Sequence, residues 1–496
     1  MKHPSKKIAI IGSGFSGMSA AAYAAGEGHE VHVFEKHDGP GGRARQFSTA
    51  EGYVFDMGPS WYWMPDIIEQ FFEDFNYKSS DFFELVSLNP QFDIIFSDGK
   101  MAIPENYDEL KNLFEETELG AGKRLDQFMQ SARFKYEVGM RDFVNKPCYH
   151  WTEFVSPKIA KSALKLDLLS NFRSYVNRYF THPKLKALME FPVIFLGASP
   201  KNIPALYSMM NYGGYVLGTK YPVGGFFQLV LAMKKVAEDQ GVVFHFDHTV
   251  ERINVKNNHV HSLSINGEYH EFDAVIASAD YHHSENLLAD GSLKNYDEAY
   301  WQRKTFAPSC LIYYLGIKER IPNLNHHTLF FEPDLDAHID SIYGKKRWAE
   351  DPLFYCCCPS KTDASVAPDG CENVFLLMPV ATGIEDDEFI REKYLSVMLA
   401  RIEKQTGIKD LVNKIEYRRS YCVSDFISDY HAYGGNAYGL ANTLSQTAVL
   451  KPKIRNKKIS NLFYTGQLTV PGPGVPPSII SGKIVAKEVN QLINQQ

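Results

Sequence analysis

Residues 8–11 are four consecutive apolar positions that run into glycines at 12, 14 and 17, within KKIAIIGSGFSG. A short apolar run bounded by glycine predicts a buried strand ending in a turn too tight for side chains. The small residues Ser19, Ala20, Ala21, Ala22, Ala24 and Ala25 then predict a helix packed close to a sheet, with Gly28 ending it. EVHVFE alternates into a second strand that finishes at Glu35. Further along, Phe226, Leu229, Val230, Met233, Val236 and Ala237 recur at the 3, 4, 7 spacing of one helix face. VVFHF and the stretches around Val250 to Val255 and Val260 to Ile265 read as strands, with 256–259 as a turn, and AVIASAD as a buried strand ending at Asp280. The last pattern is a strand from Leu462 to Thr465, a Pro/Gly-rich loop, and a helix opening at Pro477 and Ser478. Ile479, Ile480, Ile484, Val485 and Val489 form its apolar face.

Strand, glycines, small-residue helix, second strand and terminal acid together specify a nucleotide site. The helix N-terminus offers backbone donors and partial positive charge to a pyrophosphate. An acidic residue about 20 positions beyond the glycines suits a ribose hydroxyl. Gly12, Gly14, Gly17 and Glu35 are therefore the first candidates. KHDGPGGRAR follows directly with Gly41, Gly42 and Arg43, and FDMGPSW with Asp56, Gly58, Pro59 and Ser60.

The 496 residues suffice for two or three domains. A net charge of -7 argues against a nucleic-acid binder, and 13% aromatics suit an apolar pocket or a membrane-facing surface. Seven cysteines without a C-x-x-C pair, three of them contiguous, fit a reducing compartment and no shared metal. The apolar run after Lys6 and Lys7 is too short for a signal peptide. No stretch approaches the roughly 20 apolar residues of a spanning helix, so the chain is expected to be soluble or to lie on a membrane surface. Charge is uneven, however: from Arg141 to Glu190 there are nine Lys/Arg against four Asp/Glu. Lys158, Lys161 and Lys165 share one face of a predicted helix, roughly opposite Ile159, Ala163, Leu164 and Leu166. Tyr149, Trp151, Phe154, Phe172, Tyr175, Tyr179 and Phe180 interleave with this set. Such a segment suits an anionic membrane interface, and the plainer alternative is a helical domain with a solvated charged face.

GSGFSG through GGRAR, FDMGPSW, YPVGGFFQLVLAMKKVAEDQGV, AVIASAD, GGNAYGLANTLSQTAVLKP and NLFYTGQLTVPGPGVPPSIISGK span nearly the whole chain. On these segments the chain resembles the bacterial phytoene desaturases, FAD-dependent carotenoid desaturases within the flavin amine oxidase-like superfamily. The resemblance implies an α/β protein. A discontinuous Rossmann-like FAD-binding domain would comprise residues 1–75, 221–290 and 455–496. A mixed α+β substrate domain would comprise 76–110 and 291–454, and a helical, membrane-facing insertion 111–220. In that group the glycine pair and arginine, here Gly41, Gly42 and Arg43, lie beside the cofactor's phosphate–ribose region. The cofactor set extends to Lys36, Val250, Gly466, Gly474, Val475, Pro476 and Ser478, the last helix facing the flavin ring. Only one dinucleotide fingerprint occurs, so FAD is expected as the sole tightly bound cofactor, with electrons leaving to another acceptor.

The implied activity is oxidation of a CH2–CH2 unit in a C40 polyene, by hydride transfer to the flavin and loss of a proton. A hydrocarbon without polar handles calls for a long apolar tunnel. The enzyme would sit peripherally on the inner face of the cytoplasmic membrane. One departure stands out: Val470 occupies the place of histidine in the T-H-P-G-x-G-x-P pattern of phytoene desaturases. A later hydroxylated or cyclised carotenoid, desaturated at the 3,4 bond, is the alternative substrate. A flavin amine oxidase and a non-redox isoprenoid-binding escort are the rival readings. The scheme needs neither triad nor metal, and His282, His283, His326 and His327 read as surface or loop histidines. The proton acceptor has no assignment. Arg173 and Tyr175 are candidates for the substrate entrance, against a basic membrane or solvent face.

Overall fold

The computed structural model describes residues 5–154, 167, 170–194 and 197–495. Five parallel strands, β1 (Lys7–Ile11), β2 (Glu30–Phe34), β3 (Val243–His245), β4 (Ala274–Ala277) and β5 (Leu462–Tyr464), form one sheet in the order β5-β4-β1-β2-β3. They come from three stretches of chain that are remote in sequence. β1 lies at the centre and is covered on both faces, which explains its uninterrupted apolar run. Ile8 and Ile10 face one core cluster, and Ala9 and Ile11 face another. The first cluster is made by helices α1 (Phe15–Gly26), α2 (Phe227–Asp239) and α3 (Val475–Asn494). On the other face lies an antiparallel meander of Val250–Lys256, His259–Ile265 and Glu268–Glu271.

The small residues of α1 let α3 approach its backbone. A Cβ at Gly482 of α3 would lie 2.4 Å from the Ser16 carbonyl oxygen and 2.7 Å from the Ala20 nitrogen. Ser19 Oγ donates to the Ile479 carbonyl at 2.7 Å across the same seam. α3 opens at Val475, two residues earlier than the sequence suggests, with Gly474 at φ +114° ahead of it. The FDMGP and YPVGGFF segments explain one another. Asp56 accepts from the Phe226 and Phe227 amides at 2.6 and 3.2 Å and from Gln46 Nε2 at 3.0 Å, so a carboxylate from β-structure caps the positive end of α2. A Cβ at Gly225 would collide with that carboxylate. Burial nevertheless raises the Asp56 carboxyl to about 6.

A second, seven-stranded sheet runs Ile415–Tyr421, Ser309–Ile317, Glu372–Val380, Phe354–Cys357, His327–Phe330, Phe92–Phe96, Gly99–Ile103. It is antiparallel except where His327–Phe330 runs parallel to Phe92–Phe96. One face packs on helix Glu388–Thr406, and the other joins a core shared with helices Tyr107–Thr117, Ala121–Val138 and Pro183–Ile194.

The interleaved basic and aromatic segment differs from its reading. Phe172, Tyr175 and Phe180 are buried rather than fringing a surface, and Tyr175 and Phe180 pack on Phe128 of the neighbouring helix. Tyr149 Oη donates to Glu488 at 3.0 Å. Lys158, Lys161, Lys165, Ile159, Ala163, Leu164 and Leu166 lie outside the described residues, as do the side chains of Trp151 and Phe154. No helix of the described residues is long and apolar enough to cross a membrane.

Candidate active site

The ends of β1, β2, β4 and β5 open into one cavity of about 870 Å3. Gly12 follows β1, Glu35 follows β2, Ser278 to Asp280 follow β4, and Thr465 and Gly466 follow β5, and all of these line it. A cavity beyond the carboxyl ends of parallel strands is where open α/β sheets bind ligands.

The glycines of the first loop do different jobs. Gly12 takes φ +97°, a left-handed conformation that disfavours side chains. Gly17 does not line the cavity. Its Cβ would sit 2.1 Å from the Gly12 carbonyl oxygen, so it closes the loop onto α1. Gly14 has φ -70° and ψ 175°, which any residue adopts, and its Cβ would meet no protein atom within 4 Å. Nothing in the protein requires glycine there; a ligand pressed against the backbone would. Gly58 is glycine because its Cβ would lie 2.4 Å from the Arg43 carbonyl oxygen.

Glu35 clamps this loop to β2. Its Oε2 accepts from the Ser13 amide and hydroxyl, both at 2.9 Å, and its Oε1 accepts from the His37 amide at 3.1 Å. Lys36 Nζ donates to the Ser428 carbonyl at 3.3 Å. Lys36, Gly42, Arg43, Gly58, Pro59, Ser60, Val250, Gly466, Gly474, Val475, Pro476 and Ser478 all line the same cavity.

The model of the family described as flavin containing amine oxidoreductase matches residues 15–490. The chain belongs to that family. It is 39% identical to a carotenoid 3,4-desaturase of Haloarcula japonica, over 97% of each chain. It is 31% identical to a 4,4'-diapophytoene desaturase of Staphylococcus haemolyticus, over 97% of this chain and 98% of the relative. Within the family it groups with these carotenoid desaturases. Among solved structures, cyclohexylamine oxidase of Brevibacterium oxydans shares the fold with a TM-score of 0.59, at 14% identity over 98% of this chain and 99% of that one.

FAD is the cofactor of this flavin amine oxidoreductase, and the cavity fits it. Besides the open approach at Gly14, Arg43 Nε, Asn442 Oδ1 and Lys451 Nζ are buried without a hydrogen-bond partner among the described residues. Asn442 lines the cavity, and its Oδ1 and Lys451 Nζ lie 3.2 and 3.3 Å from where a Gly472 Cβ would sit. Burial lowers the Lys451 ammonium to about 7. Polar atoms so placed await a polar ligand.

Arg173 and Tyr175 do not reach this cavity. Arg173 is held by Glu190 and Asp336, each at 2.6 Å, which neutralises it. Tyr175 lies beneath Lys135, whose Nζ is 3.8 Å from its ring centroid. The histidines also differ from their reading. His326 and His327 are buried, not on a surface loop, because strand pairing sets His327 opposite Cys357 in the interior of the second sheet. Ligand atoms of His326, His327 and Cys357 lie within 4.8 Å of one another. His283 stacks on His431 at 4.0 Å and lines the cavity, where burial lowers it to about 4. His282 bonds Glu298 at 2.9 Å. A further group went unrecognised in the sequence. Ser60 Oγ and Tyr355 Oη lie 2.9 Å apart on the cavity wall, and Tyr355 Oη is 2.7 Å from His327 Nδ1. Ser60 and Tyr355 are 295 positions apart, so no local pattern joins them.

Proposed function

We propose that the chain is an FAD-dependent carotenoid desaturase that introduces a C=C bond into a C40 polyene. One observation carries this reading: the cavity that begins at the glycine loops continues into a wall with no uncommitted carboxylate. Among the described residues lining it, the carboxylates are Glu35, Asp280 and Asp429. Glu35 clamps the loop, Asp280 accepts from the His283 amide at 3.3 Å, and Asp429 pairs with Arg45 at 3.1 Å. An amine substrate would need such a group free. The remaining wall includes Met57, Trp61, Trp63, Met64, Met209, Ile312 and Leu377. It suits a hydrocarbon, held by about 25 cal/mol for each Å2 removed from water.

Gly12, Gly14, Gly42 and Arg43 would hold the pyrophosphate, and Glu35, Lys36 and Val250 the nucleoside side. Gly58, Pro59, Ser60, Gly466 and the start of α3 at Gly474, Val475, Pro476 and Ser478 would border the ring. Bound FAD supplies the two-electron acceptor for a hydride from an allylic carbon. The apolar wall orients the chain and excludes water, and the amides at the N-terminus of α3 favour negative charge beside them. The identity with the Haloarcula enzyme favours the 3,4 bond over phytoene. Val470, buried on the cavity wall, keeps that loop apolar where histidine would add a polar ring.

We read the three-segment parallel sheet as the discontinuous FAD domain of residues 1–75, 221–290 and 455–496. Residues 76–110 and 291–454 are then the substrate domain. The insertion 111–220 is the part that rests peripherally on the inner face of the cytoplasmic membrane. Its support is the excess of basic over acidic residues between Arg141 and Glu190.

The test is expression in two hosts, one supplying phytoene and one supplying a conjugated carotenoid saturated at the 3,4 bond, with pigments separated and their spectra recorded. A red shift in the second host alone fits the 3,4 assignment, and a red shift in the first points to phytoene. Unchanged pigments in both, with peroxide released from amines, would overturn the desaturase reading.

A further inference from the structure

The geometry points to Tyr355 as the residue that receives the proton released when the new double bond forms, with His327 behind it as the positioning base. This rests on the desaturase reading above. Desaturation removes two hydrogens and two electrons, one hydrogen leaving as hydride and the other as a proton. The cavity's histidines, His37, His248, His283 and His431, cluster about Glu35 and Lys36, and the apolar wall around Trp61 and Met64 offers that proton few acceptors. Tyr421 also has a base behind it, Asp429 at 2.9 Å, but Asp429 is tied to Arg45. Tyr355 differs: its hydroxyl sits between Ser60 Oγ at 2.9 Å and His327 Nδ1 at 2.7 Å, and the imidazole is wholly buried.

The step balances as follows. A C–H bond next to the substrate cation breaks, and its electron pair becomes the second bond of C=C. Its proton binds Tyr355 Oη while Tyr355 passes its own proton to His327 Nδ1. His327 gains one positive charge as the substrate loses one. His327 Nε2 has no hydrogen-bond partner among the described residues, so the Nε2–H form leaves the Nδ1 lone pair facing Tyr355.

The surroundings fit this use. Trp61 stacks on His327 with centroids 4.2 Å apart and planes 13° apart, a platform for the transient imidazolium. Burial, aided by His326, holds His327 well below the ordinary histidine range, so the ring is neutral at the start of each turnover. A proton beside a conjugated cation is acidic enough for a weak base to take it. The other titratable groups around the imidazole are His326, with centroids 4.5 Å apart, and Cys357 on the paired strand, whose thiol is a further hydrogen-bond partner of the Tyr355 hydroxyl. Asp363 acts on His326, and Asp93, on the adjoining strand, is neutralised by Lys100 at 3.1 Å.

Tyr355→Phe keeps the ring and removes only the hydroxyl. FAD content should stay at the parental level, and carotenoid affinity, read from quenching of protein fluorescence, should stay within twofold. The value of kcat should fall about 100-fold. The solvent isotope effect on kcat, present in the parent, should disappear. His327→Gln still offers an oxygen to the Tyr355 hydroxyl but holds no proton, and should lose kcat to the same degree. Tyr355→Phe alone decides the matter should His327→Gln fail to fold. A parent that desaturates no carotenoid overturns both readings. An active parent overturns the relay alone if Tyr355→Phe stays within threefold in kcat, loses only affinity, or retains the isotope effect. Stoichiometric zinc in the parent that is lost in His327→Gln would also overturn it, in favour of a His326–His327–Cys357 metal site.

Discussion

Alanine at Gly14 and alanine at Gly17 should fail in opposite ways, although both are glycines of one loop. At Gly14 the backbone angles suit alanine and the new methyl meets no protein atom within 4 Å. The FAD-free protein should therefore keep its stability, or gain about 0.4–1 kcal/mol from the restricted unfolded chain. With the pyrophosphate placed as proposed, the methyl instead occupies space that the cofactor's phosphates need. Overpacking of that kind costs about 1–3 kcal/mol. FAD affinity should consequently drop roughly 5- to 150-fold, at tenfold per about 1.4 kcal/mol. At Gly17 the methyl would lie 2.1 Å from the Gly12 carbonyl oxygen, where real Cβ atoms stay beyond 3.0 Å. The backbone on both sides must move, so the FAD-free protein itself should lose at least about 2 kcal/mol. Urea unfolding of deflavinated protein and titration of flavin fluorescence separate the two effects. Parental FAD affinity in Gly14→Ala, or a stability loss equal to that of Gly17→Ala, would refute the assignment of the loop as a phosphate cradle.

Lys451 gives a pH signature. Its folded pKa of about 7 lies below the unfolded value near 10.4, so only the unfolded chain holds the proton between those pH values. Stability of the FAD-free protein should rise from pH 7 towards pH 10. The penalty is complete below pH 7, and Lys451→Met should remove it, adding about 4 kcal/mol at pH 7 and flattening the slope. Equal slopes in urea unfolding of the two proteins would show that the ammonium has a partner. Asp56→Ala leaves two amides of the α2 N-terminus and Gln46 Nε2 without their acceptor. It should cost about 2–4 kcal/mol in chemical unfolding, and a loss under 1 kcal/mol would mean that water replaces the carboxylate.

The strand–loop–helix framework at the first glycines was legible because its determinants are local. The Ile8–Ile11 run, the glycine spacing and Glu35 all fall within 30 residues, and period and turn chemistry specify them without tertiary knowledge. The division of labour among the glycines was not legible, since Gly14 and Gly17 differ only in which atoms lie above them. Nor was the tie between Asp56 and Gly225, which needs two segments 169 positions apart to be placed together. The burial of Phe172, Tyr175 and Phe180 was not legible, for a physical reason. Aromatic residues spaced among cations look alike whether they meet lipid or, as here, Phe128 of another helix. His326 and His327 were misplaced because their burial comes from the pairing of His327–Phe330 with Phe354–Cys357, a register set by the sheet as a whole.

The sheet order β5-β4-β1-β2-β3 also sets a timetable for biogenesis. β1 is made early, yet its neighbour β4 arrives some 260 residues later, and β5 with its loop some 190 residues after that. The flavin cleft cannot be enclosed until that strand and its loop have been made. Cofactor capture therefore waits on that last strand, and any product cut short before residue 462 is born unable to make it.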